Sequence, residues 1–184
     1  MKKSIALMLV LSILSITLPR CTEAPSTLPA GQHAKNQLEE LLTQWIYSNS
    51  EKISRATAGE IARTAMQEKY KLLILAIACS ESAFLPTALS PKGARGLMQV
   101  MPGIHGANLI KSGIIKESRD LYNIRENIRA GSMILKQCLD DSKGNVAQGL
   151  SRYVSGHDGF ENSYYVKKIQ ENLTALYVVT AGMV

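Results

Sequence analysis

Apolar side chains recur at helical spacing along most of this chain, and the stripes they draw mark out the elements. Leu38, Leu41, Leu42, Trp45 and Ile46 share one face of a helix predicted over residues 36–47, where Trp45 is most simply a core residue. A second helix is predicted over 55–69. After Lys71 the pattern changes, because every residue from Leu72 through Cys79 is apolar, and a segment apolar on all sides is expected to be buried on all sides. Pro86 ends that segment. Further helices are predicted near 107–112, over 125–140, over 145–154 and from 163 to about 177. No run alternates with the period of two that a strand requires, and no internal repeat is present. The fold class expected is all-α, a compact helical domain.

The N-terminus has a different grammar. Met1-Lys2-Lys3 followed by a mostly apolar stretch to Leu18 has the charged start and short apolar core of a secretory signal peptide. It is too short to favour a membrane span. Thr22-Glu23-Ala24 offers small residues where a signal peptidase reads, so cleavage after Ala24 and secretion to a periplasm are expected. Leu18-Pro19-Arg20-Cys21 only loosely resembles a lipoprotein box, since Arg20 sits where a small residue belongs. Lipid attachment at Cys21, which would put the protein on a membrane, is the alternative. The expected organisation is a signal peptide over 1–24, a Pro/Ser/Thr/Gly linker over 25–35 and one catalytic domain over 36–184.

Composition narrows the classes. Aromatic residues make up only 5% of the 184, so the core must rest on Leu, Ile, Val, Ala and Met. The net charge of +6 falls to +4 once Lys2, Lys3, Arg20 and Glu23 leave with the leader, a modest excess compatible with an anionic polymer and also with ordinary surface charge. No basic helix or stacked-aromatic pattern points to nucleic acid. If Cys21 departs or is lipidated, Cys79 and Cys138 remain; an oxidising compartment would let them pair, but each lies in an apolar helical segment where free buried cysteines are common. His33, His105 and His157 have no ligand spacing, and no metal site is expected.

The most informative stretch is residues 81–102, ESAFLPTALSPKGARGLMQVMP. Glu81 is the first residue of the apolar segment whose burial needs a reason. A carboxyl in the last turn of a helix feels the negative end of the macrodipole, and apolar neighbours strip its water; both raise its pKa. A carboxylic acid still protonated near neutral pH is what general acid catalysis needs.

The same stretch resembles the catalytic motif of the soluble lytic transglycosylase (SLT) family, related to goose-type lysozymes, whose pattern is E-S-x-F-x-P-x-A-x-S-x-x-G-A-x-G-L-M-Q-x-M-P. Each fixed position is matched, from Glu81, Ser82, Phe84 and Pro86 through Gly96, Leu97, Met98 and Gln99 to Met101 and Pro102. Glu126-Asn-Ile-Arg-Ala-Gly131 is similar to the family's E-N-I-x-A-G helix start, Gly149-Leu-Ser-Arg-Tyr-Val-Ser-Gly156 to its A-L-x-x-Y-N-A-G block, and Glu161-Asn-Ser-Tyr-Tyr-Val166 to its closing E-T-x-x-Y-V. One position departs: Val154 stands where the family usually has Asn, and Ser155 where it has Ala.

The resemblance implies a lysozyme-like helical domain with at most a small irregular β element between Ser90 and Met101. It implies cleavage of the β-1,4 bond between N-acetylmuramic acid and N-acetylglucosamine in peptidoglycan strands by a single carboxyl, Glu81, with no cofactor. Glu81 would act first as acid on the leaving oxygen and then as base on the muramoyl 6-hydroxyl, leaving a 1,6-anhydro end. Ser90, Gln99, Met101, Tyr153, Glu161 and Tyr165 are carried over as substrate-site residues, Tyr153 with a hydroxyl near Glu81. Gly93 and Gly96 are read as backbone turns, and Ser82 as a capping or packing residue. The short length suggests local wall opening for a secretion or conjugation apparatus. A hydrolytic, lysozyme-like muramidase and a catalytically inactive glycan-binding module are the alternatives.

Overall fold

The computed structural model describes residues 30–156 and 163–181. Among them are seven α-helices: α1 (Ala30–Ser48), α2 (Arg55–Ala65), α3 (Lys71–Ser82), α4 (Pro102–Lys111), α5 (Ile124–Asp141), α6 (Val146–Ser155) and α7 (Tyr164–Val179), with a 3-10 turn over Ser118–Tyr122 before α5. The fold is all-α. The only pairing of strand type among the described residues is two isolated antiparallel bridges, Leu89 with Arg95 and Arg95 with Val100, which form the small β element expected after Glu81.

The core is built around α3. Leu72 through Ala78 are all buried, because this helix is enclosed by neighbours: α7 runs along it most extensively, and α2 and α5 also touch it. That enclosure is why α3 carries no polar stripe. To one side, α1 presents Leu38, Leu42, Trp45 and Ile46 to α2, whose Ala58, Ala62 and Ala65 let the two helices lie close. Ser54, Asn145 and Ser163 cap α2, α6 and α7, each accepting a backbone N–H with its side-chain oxygen.

Helix boundaries differ from the apolar pattern in three places. α1 starts at Ala30, inside the stretch read as linker: residues 31–37 are exposed, so no apolar stripe announces that part, and contacts such as Gln32 Nε2 donating to Asn36 Oδ1 at 2.7 Å run along its surface. α2 stops at Ala65 rather than near 69, and the next turns close with i to i−3 bonds from Gln67 and Glu68. α4 starts at Pro102, several residues before 107: a proline in the first turn forfeits no helical hydrogen bond, although Pro102, Gly103 and Gly106 read locally as breakers. Cys79 and Cys138 are free and half-buried. Among the described residues, no helix is long and apolar enough to cross a membrane. The expected signal peptide, Cys21 and most of the linker lie outside the described residues.

Candidate active site

Glu81 sits in the last turn of α3, one residue before the helix ends. The chain leaves through Ala83 at φ 48° and Phe84 at φ 63°, left-handed conformations that cost a side chain bearing a Cβ about 1–2 kcal/mol each. Burial holds this turn in place: Phe84 is fully enclosed and meets Trp45 of α1 edge to face, with ring centroids 5.7 Å apart. Ser82 ties the helix end to the following loop, its hydroxyl lying 2.8 Å from the Leu97 carbonyl and 3.2 Å from that of Ala78. Ser82 therefore positions, as its lack of an activating histidine suggested.

The loop from Ala83 to Met101 is fastened from several sides. Ser90 Oγ accepts the Ala94 N–H at 3.0 Å while the Ser90 N–H reaches the Ala94 carbonyl, a closed turn around Gly93 at φ 85°. Gln99 is left-handed at φ 48°, and its Nε2 donates to the Gly96 carbonyl at 2.9 Å, leaving Oε1 as the acceptor available to a ligand. From α5, the buried Asn127 accepts the Met98 N–H at 2.8 Å and donates to the carbonyls of Arg95 and Leu121 at 2.8 and 2.7 Å. From α6, the Tyr153 hydroxyl donates to the Met98 carbonyl at 2.9 Å. Gly131 gives the Met98 side chain its space, since a Cβ there would lie 2.3 Å from the sulfur.

Behind Glu81 stands α7. The Tyr165 hydroxyl donates to the Ser80 carbonyl at 3.1 Å and is also hydrogen-bonded to Glu81, while Asn172 Nδ2 donates to Ser80 Oγ at 2.9 Å. Of the two tyrosines, Tyr165 acts on Glu81 through a hydrogen bond, while Tyr153 lies near enough to feel the Glu81 charge, as the resemblance implied, and donates its hydroxyl to the Met98 carbonyl. One phenolic proton cannot serve two acceptors fully. When Glu81 is ionised the proton is drawn toward it; when Glu81 is protonated, its own O–H can donate to Tyr165, which keeps the Ser80 carbonyl.

The electrostatics follow from this packing. Burial pushes the Glu81 carboxyl up from 4.5 to about 7, against the opposing pull of the Tyr165 hydrogen bond. Burial also raises both phenols, Tyr165 and Tyr153, and the nearby Glu81 charge adds to each. His105 is lowered by burial, so its imidazole is neutral at pH 7.

Glu81 opens into a cleft of about 210 Å³. Ser90, Gln99, Met101 and Tyr153 line it with Glu81, whereas Tyr165 acts on Glu81 from behind the wall. Glu161 lies outside the described residues. Lys92, His105, Ile134 and Val154 also line the cleft. Ile134 was within reach of pattern reasoning, because residues 127, 131 and 134 share one face of α5; His105 carried no signal, since the helix that holds it was expected to begin only near 107. Val154, the departure from the family pattern, is an apolar wall residue where an amide would stand. Glu81 is the one carboxylate among the described residues that line the cleft, and no group of three or more His, Cys, Asp or Glu side chains converges among the described residues.

Comparison with known proteins gives the family. Over 93 residues the chain is 38% identical to the membrane-bound lytic murein transglycosylase C of Glaesserella parasuis serovar 5 (strain SH0165). That match covers 47% of the chain but only 26% of the relative, so the chain corresponds to about a quarter of that protein's length. No solved structure matches the chain. Residues 60–172, more than half of the chain and the whole of the described site, match the transglycosylase SLT domain, and the chain belongs to that family.

Proposed function

We propose that the chain is a peptidoglycan lytic transglycosylase, a lyase that cleaves the β-1,4 bond between N-acetylmuramic acid and N-acetylglucosamine. The observation that carries this reading is Glu81: a carboxyl at the end of a buried helix, facing a cleft, with burial holding its pKa at about 7. A group of that pKa is divided between acid and base at neutral pH, so it can give a proton and take one back. The two-carboxylate arrangement of ordinary glycosidases finds no support among the described lining residues, where Glu81 stands alone.

In the first step Glu81 donates its proton to the glycosidic oxygen leaving the muramoyl anomeric carbon, and the C–O bond breaks. The N-acetyl group of the substrate stabilises the electron-poor carbon. In the second step the Glu81 carboxylate takes the proton of the muramoyl 6-hydroxyl, whose oxygen bonds to the anomeric carbon and closes the 1,6-anhydro ring. Glu81 ends protonated, and no water is consumed. Tyr165 steadies the anionic state between the steps, while Gln99 Oε1 and the Ser90 hydroxyl offer short polar contacts to the sugar. Periplasmic export is supported by the leader-like residues 1–24 and by the relative's printed name, which places that protein at a membrane and on murein. A role in opening the wall for a secretion or conjugation apparatus is a further part of this reading.

The test is product analysis. Purified protein incubated with peptidoglycan should release muropeptides with anhydromuramoyl ends, lighter by one water, about 18 mass units, than the reducing ends of a hydrolase. Reducing ends alone would replace this reading with a lysozyme-like hydrolysis, and no release at all would leave a glycan-binding module.

A further inference from the structure

The cleft holds a cation that the two-step chemistry does not use. Lys92 lines it together with Glu81, on the loop turn that Ser90 and Gly93 close. Lys92 is exposed, and among the described residues it has no ion-pair partner. Burial lowers the His105 imidazole and raises the Tyr153 phenol, disfavouring the charged form of each, and Lys92 is the lysine or arginine among the described residues that line the cleft. Large apolar side chains lie exposed next to lining residues: Leu89, 62% exposed, precedes Ser90, and Ile104, 69% exposed, precedes His105.

A glycan of N-acetylglucosamine alone gives such a surface little to bind, being uncharged. A peptidoglycan strand differs in what hangs from the muramoyl ether: a stem peptide with methyl-bearing alanines and free carboxylates. We propose that Lys92 is a specificity-determining residue, its ammonium pairing with a carboxylate of the stem peptide on the muramoyl unit beside Glu81, so that the cleft prefers strands that still carry their stems. The proposal rests on the transglycosylase reading of Glu81. It places in the wall-binding loop a contact that depends on charge, in an exposed setting where an ion pair is screened by salt.

The experiment compares wild type, Lys92→Gln and Lys92→Arg on intact peptidoglycan and on the same strands stripped by an amidase, which keep the muramoyl sugars but bear a free lactyl carboxylate in place of each stem. Thermal melting checks that the variants fold. On intact strands Lys92→Gln should raise KM about tenfold, equivalent to about 1.4 kcal/mol, with kcat little changed, because the contact binds ground state and transition state alike. Lys92→Arg should stay close to wild type. On stripped strands all three proteins should agree within about twofold. Equal loss on both substrates would assign Lys92 to the lactyl carboxylate or to the sugar and overturn the stem-peptide preference; no loss on either would overturn any role in substrate choice. Wild type that forms no anhydromuramoyl ends from either substrate overturns the functional reading itself, a result separable from the behaviour of the variants.

Discussion

Gly96 and Asn127 touch so closely that a Cβ on Gly96 would lie 2.2 Å from Asn127 Nδ2. The glycine, at φ 74°, is what lets the amide reach three backbone groups at once, binding Met98 N–H and the carbonyls of Arg95 and Leu121. The loop opposite Glu81 is therefore held by α5 as well as by its own two bridges. Asn127→Ala would take this partner from the buried Met98 N–H and Leu121 carbonyl, while the Arg95 carbonyl keeps the Val100 N–H, and an unsatisfied buried polar group costs about 1–3 kcal/mol. The expected loss is on the order of 2–4 kcal/mol in urea unfolding, with Gly96→Ala of similar severity because it adds a clash to an unfavourable φ. A loss below about 0.5 kcal/mol for Asn127→Ala, within the range of an ordinary surface substitution, would show that the loop holds its shape without the clamp.

Burial raises the Glu81 pKa, and Tyr165 limits the rise. Its hydrogen bond opposes the effect of burial, so Tyr165→Phe should move the Glu81 pKa upward from about 7. The alkaline limb of the kcat–pH profile, where the acid loses its proton, should shift to higher pH with it. Tyr153→Phe is the comparison: its hydroxyl bonds Met98, so its effect should appear in stability with little displacement of that limb. An unmoved limb in Tyr165→Phe would detach Tyr165 from the acid.

How much of this was legible in the chain depends on the distance over which each feature is decided. The all-apolar run of α3 and the carboxyl at its end were readable because both are local, and the pKa rise followed from the same neighbours. The Glu126–Gly131 block was visible as a motif, but its purpose was not: Asn127 and Gly131 act on Met98, about thirty residues away in sequence, and only the packing of α5 on the loop reveals it. Tyr153 and Tyr165 were both marked, yet only the packing of α7 along α3, which brings Tyr165 to the end of α3, shows which one hydrogen-bonds to Glu81. The early start of α1 and the 3-10 turn over Ser118–Tyr122 escaped for opposite reasons: one has no buried face at its beginning, and the other is too short to show a period.

A raised acid also leaves a mark on stability. The folded state holds the Glu81 proton up to about pH 7, whereas the unfolded chain releases it near 4.5. Stability contributed at this site is therefore full below pH 4.5, falls as pH rises through that window, and levels off above pH 7. The decrement is up to about 3 kcal/mol. Glu81→Gln, which keeps the shape and never ionises, should be more stable than wild type at pH 8 by up to that amount and should lose the advantage at pH 4. Equal differences at the two pH values, read from denaturant midpoints, would mean that Glu81 is not buried at the cost described.

The central claim is that one carboxyl serves as both acid and base. Its most direct test is the initial rate of anhydromuropeptide release from intact peptidoglycan by wild type and by Glu81→Gln, with folding confirmed in the same preparations. General acid–base catalysis contributes typically about 10²–10⁴-fold, and a residue used in both steps should reach or exceed the upper end of that range when its transferable proton is removed. Glu117→Gln and Asp120→Asn, in the 3-10 turn before α5 and outside the described lining of the cleft, should keep most of the activity. A folded Glu81→Gln protein releasing anhydromuropeptides near the wild-type rate would contradict the account.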